Sequence, residues 1–463
     1  MCGKESRHKK YKYVPPDGGW GYMICIAVTT TLVIVTGFVN CFGVIFKERF
    51  IELSMGSMSV TVLNGLGAMC LAISGFSTGF SLKYMSIRKL GFIAACLYST
   101  GLFGTTLCDS RVMFFIFQGI LQNLGHGMLI NLCFTIIIQY FDQKRLFAMS
   151  IIQTITALAA FGAPALVKWS LERYGTHWSL LLISAISLHN IFAVTLMQPV
   201  LWHLKKVDVP ETKEIEMKPF IKDNKYKRSP VASITYDNDA TDASKRNKNG
   251  ADAEKGQNII MKFVGKELYK KFILSNACLG LSICLFSDMS FILMLPQALY
   301  YMGWNEALVA RALTLFGLGN LLTRILFIFI SKWLAKIGTH EIYVIGLLIA
   351  CLSRLGMLWS DDRTIMLSFL VIMGLGRCII VVLHPLVIAE SVSPDKFTNA
   401  MGISMLVFGL VNLVFGPVIS AIRVLTDSYA TAFYILTSCF GIVVIFWTIE
   451  LVYKKNAHKR KPK

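Results

Sequence analysis

Apolar and polar positions along this chain are sorted into blocks rather than alternating residue by residue. Runs of about twenty apolar residues, enough for a helix to cross a hydrocarbon core of roughly 30 Å, are separated by short polar breaks. Twelve such runs stand at approximately 20–46, 58–82, 90–107, 112–139, 146–167, 178–201, 272–299, 307–331, 341–359, 364–389, 398–422 and 429–452. Within a bilayer every backbone N–H and C=O must find its partner inside the protein, so only helices or a closed barrel serve. The runs far exceed a barrel strand of about 9–11 residues. The pattern therefore predicts an all-α membrane protein of twelve transmembrane helices.

One break differs from the others. Residues 202–270 are rich in charge, as in Asp237-Asn-Asp239 and Lys245-Arg-Asn-Lys-Asn249, and poor in large apolar side chains. Such a stretch buries too little to fold alone and reads as a disordered linker. It separates a six-helix half at 20–201 from a second at 271–452, with short tails at 1–19 and 453–463. The halves echo each other. Lys144-Arg-Leu-Phe-Ala-Met-Ser-Ile151 has a counterpart in Lys396-Phe-Thr-Asn-Ala-Met-Gly-Ile403, and Gly162-Ala-Pro164 in Gly416-Pro417. Gly65-Leu-Gly67 likewise matches Gly317-Leu-Gly319. Duplicated six-helix halves predict a transporter whose substrate site lies at mid-membrane between them, reached by rocking of one half against the other.

Composition supports this reading: 55% of the 463 residues are hydrophobic and only 16% are charged, against roughly 25% charged in soluble proteins. The formal net charge of +19 raises the question of nucleic acid, but its placement answers otherwise. About 35 of the 46 Lys and Arg fall in the tails, the linker and the breaks on their side, the distribution of cytoplasmic segments. Both termini are therefore expected inside, where the basic tails can also touch anionic lipid. With a hydrophilic, basic start, no cleavable signal peptide is expected. Most of the 12 Cys lie within apolar runs, and their spacing matches neither a zinc site nor a disulfide framework.

Before the first run stands Val14-Pro-Pro-Asp-Gly-Gly-Trp-Gly-Tyr22. Its residue types suit a helix entry: Asp17 as cap, Pro15 and Pro16 keeping the chain extended, Trp20 at the membrane interface. As a string (Asp17, Gly18, Gly19, Trp20) it closely resembles the entry signature of the monocarboxylate porter family, solute carrier family 16. A second family signature resembles Tyr140-Phe141-Asp-Gln-Lys144-Arg145, although Ser150 and Ile155 stand where that family usually has glycines. Ala400-Met-Gly402 through Phe415-Gly416-Pro417 is also similar. The resemblance spans the chain apart from the linker and tails, and implies the major facilitator fold. The loop Gly79–Lys89 carries Lys83 where that superfamily commonly has Asp.

Intramembrane charge is costly and marks candidate sites. Arg324 lies deep in the eighth run, and the family's coupled members have an anion-binding arginine there. A guanidinium fork suits a carboxylate through paired charge-assisted hydrogen bonds; a snorkelling arginine is the plainer alternative. Asn320, one turn earlier, occupies a position that is aspartate in proton-coupled members, and Asn40 aligns with their coupling lysine. An amide binds but does not titrate, so the usual proton route is expected to be missing. Asp288 and Arg377 stand at similar depth in the seventh and tenth runs and are expected to pair, leaving Arg324 free for an anion; Arg354 is a third intramembrane arginine. His126 and His384 read as packing groups.

The expectation is a plasma-membrane carrier, not an enzyme and without cofactor or metal, moving a monocarboxylate or related small organic acid. Family members also carry aromatic amino acids, iodothyronines, carnitine and creatine, and some require a single-span glycoprotein partner. Facilitated transport of such solutes is the alternative, with a non-transporting solute sensor further behind.

Overall fold

The computed structural model describes residues 11–208, 272–360 and 362–459. Among them eleven helical stretches are long and apolar enough to cross a bilayer. One, Arg145–Leu196, runs to 52 residues and breaks at Gly175, whose φ of 74° and ψ of 175° are not helical. Only glycine takes this backbone at little cost, so one continuous apolar stretch becomes two crossings. The helices are α1 (Trp20–Gly37), α2 (Ser57–Ser81), α3 (Ile87–Leu107), α4 (Arg111–Tyr140), α5 (145–174) and α6 (176–196). The second half follows with α7 (Asn276–Tyr301), α8 (Glu306–Ile337), α9 (Thr339–Trp359), α10 (Arg363–Ser391), α11 (Phe397–Thr426) and α12 (Tyr429–Lys459).

Local chemistry sets several boundaries. The side chains of Ser86, Asn305 and Asp362 accept backbone N–H bonds at the starts of α3, α8 and α10, as N-cap residues do. The first run does not form one helix over 20–46. α1 stops at Gly37, and the chain continues through a 3₁₀ turn at Val39–Cys41 and short helices at Phe42–Ile45 and Lys47–Glu52. Proline lies within α5 at Pro164 and within α11 at Pro417, the matched positions of the two halves.

Twelve crossings return the chain to the side from which it started. The membrane-spanning part is all-helical as expected; on this tail-bearing side Tyr11–Val14 (β1) also pairs antiparallel with Lys205–Asp208 (β2), Val14 facing Lys205. Both segments emerge beside each other in extended form and carry β-favouring Tyr and Val. Residues 209–271, most of the expected linker, lie outside the described residues.

The halves meet along α2–α11 and α5–α8. Near the tail-bearing end, a Cβ on Gly402 would stand 2.7 Å from the Gly75 carbonyl oxygen and 2.9 Å from the Phe76 Cα. The absence of side chains is what allows α2 and α11 to touch. Asn131 of α4 donates to the carbonyls of Gly75 (2.7 Å) and Thr398 (3.2 Å), and the Thr135 hydroxyl donates to that of Thr398 at 3.1 Å. Here the buried core is continuous across both halves, from Ile24 and Phe141 to Phe397 and Trp447. Towards the opposite face it divides into two clusters, one with Phe46, Phe114 and Leu180, the other with Phe291, Phe316 and Phe433. The hydrophobic core is thus shared by both halves at the tail-bearing end and divided between them at the other.

This packing predicts that Gly402→Leu lowers the thermal midpoint of the purified protein, by overpacking worth about 1–3 kcal/mol. Gly441→Leu, at a glycine with nothing within 4 Å of its would-be Cβ, should leave the midpoint unchanged. Equal midpoints for both variants would refute the close contact.

Candidate functional site

Four charged side chains stand deep in the second half: Asp288 on α7, Arg324 on α8, Arg354 on α9 and Arg377 on α10. Asp288 and Arg354 are fully enclosed, 1% and 0% exposed. Arg354 Nη2 donates to Asp288 Oδ1 at 2.8 Å, and Nη1 reaches the Ser287 hydroxyl at 3.3 Å. The guanidinium carbon lies 4.4 Å and 4.2 Å from the ring centroids of Phe291 and Phe440, the geometry of cation–π attraction. Asp288 therefore has its main partner in Arg354, which sequence reading recognised as intramembrane but left without a role. A single arginine inside an apolar run gives no sign of which helix will face it.

The expected Asp288–Arg377 contact is present but secondary. Arg377 Nη1 lies 3.2 Å from Asp288 Oδ2, yet neither atom makes a hydrogen bond. The contact is one of charge without donor–acceptor alignment. Arg377 Nη2 rests 3.7 Å from the sulfur of Met289, and the side chain keeps 16% exposure.

Arg324 is not left free. Its Nη1 donates to the Gln153 carbonyl oxygen (2.8 Å) and side-chain oxygen (3.2 Å), and its Nε to Asn320 Oδ1 (3.1 Å). Gln153 belongs to α5 of the other half, so Arg324 helps to close the α5–α8 seam; a buried guanidinium must find acceptors, and these are the ones in reach. Gln153 itself was missed, since a polar residue within a helical run carries no sequence mark of what it meets. The backbone of Asn40 falls in the 3₁₀ turn after α1.

The motif residues assemble differently from the helix-cap expectation. The N-cap of α1 is Gly19, without a side-chain cap bond. Asp17, with φ of 46°, turns its carboxylate to the α4–α5 connection, where Oδ1 accepts from the backbone N–H of Asp142 (2.7 Å), Gln143 (3.1 Å) and Lys144 (3.4 Å). Successive N–H groups at a helix entry form an anion nest, which outcompetes the start of α1. Gly21 lets Phe141 pack directly on α1. Arg145 Nε donates to the Phe141 carbonyl at 2.5 Å, Tyr140 donates to the Gln198 carbonyl at 2.9 Å, and Trp20 stacks on His203 with centroids 5.3 Å apart. Gly18 packs on Tyr22, while Gly416 and Pro417 lie within α11 on the far side of the seam contacts.

The model of the Major Facilitator Superfamily matches residues 26–244 and 277–463. The chain belongs to the Major Facilitator Superfamily. Within it, the chain is homologous to the monocarboxylate transporters of solute carrier family 16. Monocarboxylate transporter 9 of Gallus gallus is 25% identical across 92% of this chain and 91% of its own length. Monocarboxylate transporter 6 of Mus musculus is 21% identical across 90% and 84%. Two solved structures share the fold. The outward-conformation crystal structure of the transporter FucP has a TM-score of 0.63 at 14% identity, covering 93% of this chain and 99% of that one. That of the human organic anion transporter MFSD10 has 0.65 at 13%, covering 94% and 100%. The protein is a multi-pass membrane transporter with a small-molecule substrate.

The Asp288–Arg354 contact makes a definite prediction. Asp288→Ala leaves a guanidinium enclosed without its counter-charge, at a cost of about 3–5 kcal/mol, and should sharply reduce folded protein at the membrane. Asp288→Leu combined with Arg354→Met should restore much of that amount. Fluorescence-detected size-exclusion chromatography of the variants measures it; a single variant as abundant as wild type would show that the pair carries no stability.

Proposed function

We propose that this transporter carries a small organic carboxylate by alternating access, with Arg324 as the anion contact. The observation that carries the reading is the position of Arg324: buried, bonded to Asn320 on its own helix and to Gln153 of the opposite half. A carboxylate is a stronger acceptor for a guanidinium than two amide oxygens. An anion bound at Arg324 takes over the donors that Gln153 holds, and with them a bond that closes the α5–α8 seam. A solute drives a conformational equilibrium only through different interactions in its two states, and this exchange supplies the difference. The names of the relatives, monocarboxylate transporters 9 and 6, favour a monocarboxylate as one accepted solute.

In this reading both termini, the linker and the β1–β2 ladder are cytoplasmic, in keeping with their Lys and Arg, and the protein works at the plasma membrane. The shared core at the tail-bearing end then corresponds to an outward-facing carrier. Asn40 and Asn320 take the places of a titrating pair, so transport is facilitative with respect to that route.

Uptake of labelled pyruvate and lactate by expressing cells at external pH 6 and 7.5 tests both parts. Saturable uptake is expected, reduced about a hundredfold by Arg324→Ala at equal surface expression, the scale of a lost charge-assisted contact of roughly 2.7 kcal/mol. An imposed proton gradient should not raise it. Strong stimulation by the gradient would overturn the facilitative part, and full activity of the variant would remove Arg324 from the site.

A further inference from the structure

The charges at mid-membrane do not balance. Among the described residues in the middle of the helices, Asp288 is the carboxylate and Arg324, Arg354 and Arg377 are the guanidinium groups. Asp288 neutralises one of the three. Its aligned bond goes to Arg354, which is 0% exposed and covered on two sides by Phe291 and Phe440. No solute can reach that pair.

Arg377 is left differently. It receives the second oxygen of Asp288 without a hydrogen bond, and its remaining contacts are the Met289 sulfur and the Phe316 ring, whose centroid is 5.8 Å away. A thioether and a ring face are weak partners for a group with five N–H donors. Its 16% exposure at this depth is tolerable facing a watery cavity and expensive facing lipid.

Arg377 also stands beside Arg324. The helices α8 and α10 run in the same direction, and Gly374 packs on the backbone of Phe316 and Asn320. One turn on from Gly374, Arg377 therefore comes level with the turn Asn320–Arg324. The two guanidinium-bearing turns thus share one level of adjacent helices. With Asp288 shared between Arg354 and Arg377, no carboxylate among the described residues is left to meet Arg324 as well.

Building on the carboxylate reading above, we propose that Arg324 and Arg377 form a two-cation site whose preferred substrate is a small dicarboxylate, each carboxylate answering one guanidinium. A monocarboxylate satisfies one cation and leaves the other to water.

The full-length protein in liposomes provides the test, by exchange of labelled pyruvate and labelled succinate at pH 7.5, where succinate is a dianion. Succinate is expected to have an apparent affinity about tenfold higher than pyruvate, the yield of one added charge-assisted contact. Arg377→Gln should reduce the succinate-to-pyruvate affinity ratio about tenfold, and Arg377→Lys, which keeps the charge if the Gln variant fails to fold, should retain most of it. A structural role for Arg377 would change both affinities together and leave the ratio intact, which overturns the proposal. Pyruvate exchange without succinate preference in the wild type overturns the two-cation site alone. Exchange of neither anion overturns the carboxylate reading with it.

Discussion

A charge taken out of water has to be met by another charge, by hydrogen bonds, or by water admitted on purpose. In the second half of this protein that requirement ties four helices together. The carboxylate of α7 is held by the arginine of α9 and approached by the arginine of α10, while the arginine of α8 finds its acceptors across the molecular divide. Each answer is of a different quality. Arg354 is met by a carboxylate and a hydroxyl and sealed between rings; Arg324 is met by neutral oxygens; Arg377 is met by charge alone. That graded satisfaction separates structure from site, because a group already paired and enclosed has nothing left to offer a solute.

The two seams between the halves differ in the same sense. At α2–α11 the contact is made by small residues and backbone, with Gly75 and Gly402 allowing the helices to touch. Nothing there depends on a bound anion. At α5–α8 the contact is polar, and in the reading proposed above Arg324 belongs both to the seam and to the substrate site. A residue with that double membership links occupancy to closure directly, since donors given to a ligand are withdrawn from the opposite half. The geometric pseudo-symmetry of the halves therefore hides a chemical asymmetry, with one hinge-like contact and one contact able to sense charge.

Much of the architecture was legible because hydrocarbon leaves the chain few options. Length and polarity of the runs located the twelve crossings, including the pair that Gly175 divides. The proline matches at Pro164 and Pro417 fell within α5 and α11, at corresponding points of the two halves. What stayed hidden depends on partners distant in sequence. Asp17 looked like a local cap, yet its acceptors are filled 125 to 127 residues away by N–H groups at the entrance to α5. Arg354 looked like one more costly charge until α7 was placed beside it. The early end of α1 at Gly37 was obscured because the residues after it are as apolar as those before, and hydropathy does not register a change in backbone twist.

Rocking of two halves requires that each half be stiffer than the joint between them. The contacts supply that stiffness where it is needed. In the first half, Asp17 ties the entrance of α1 to that of α5, Tyr140 ties the end of α4 to the segment after α6, and Trp20 donates to the Leu196 carbonyl at 3.3 Å. In the second half, Asp288 and Arg354 join α7 to α9, and Asn276 reaches Glu450 of α12 at 2.7 Å. The bonds of Asp17, Arg354 and Asn276 are charge-assisted, the class whose loss is costly, and those of Tyr140 and Trp20 are neutral and partly buried. The bonds across the divide include those of Asn131 and Thr135 to Thr398 and of Arg324 to Gln153, and the last is the one that the proposed anion would replace. The Asp17 lock stands at the same end of α5 as Gln153, so the helix carrying the seam acceptor is anchored to α1 rather than free to follow Arg324. In the reading proposed above, an anion that displaces Gln153 acts through that anchor on the first half as a whole, which is the condition for alternating access to be a movement of bodies rather than of one side chain.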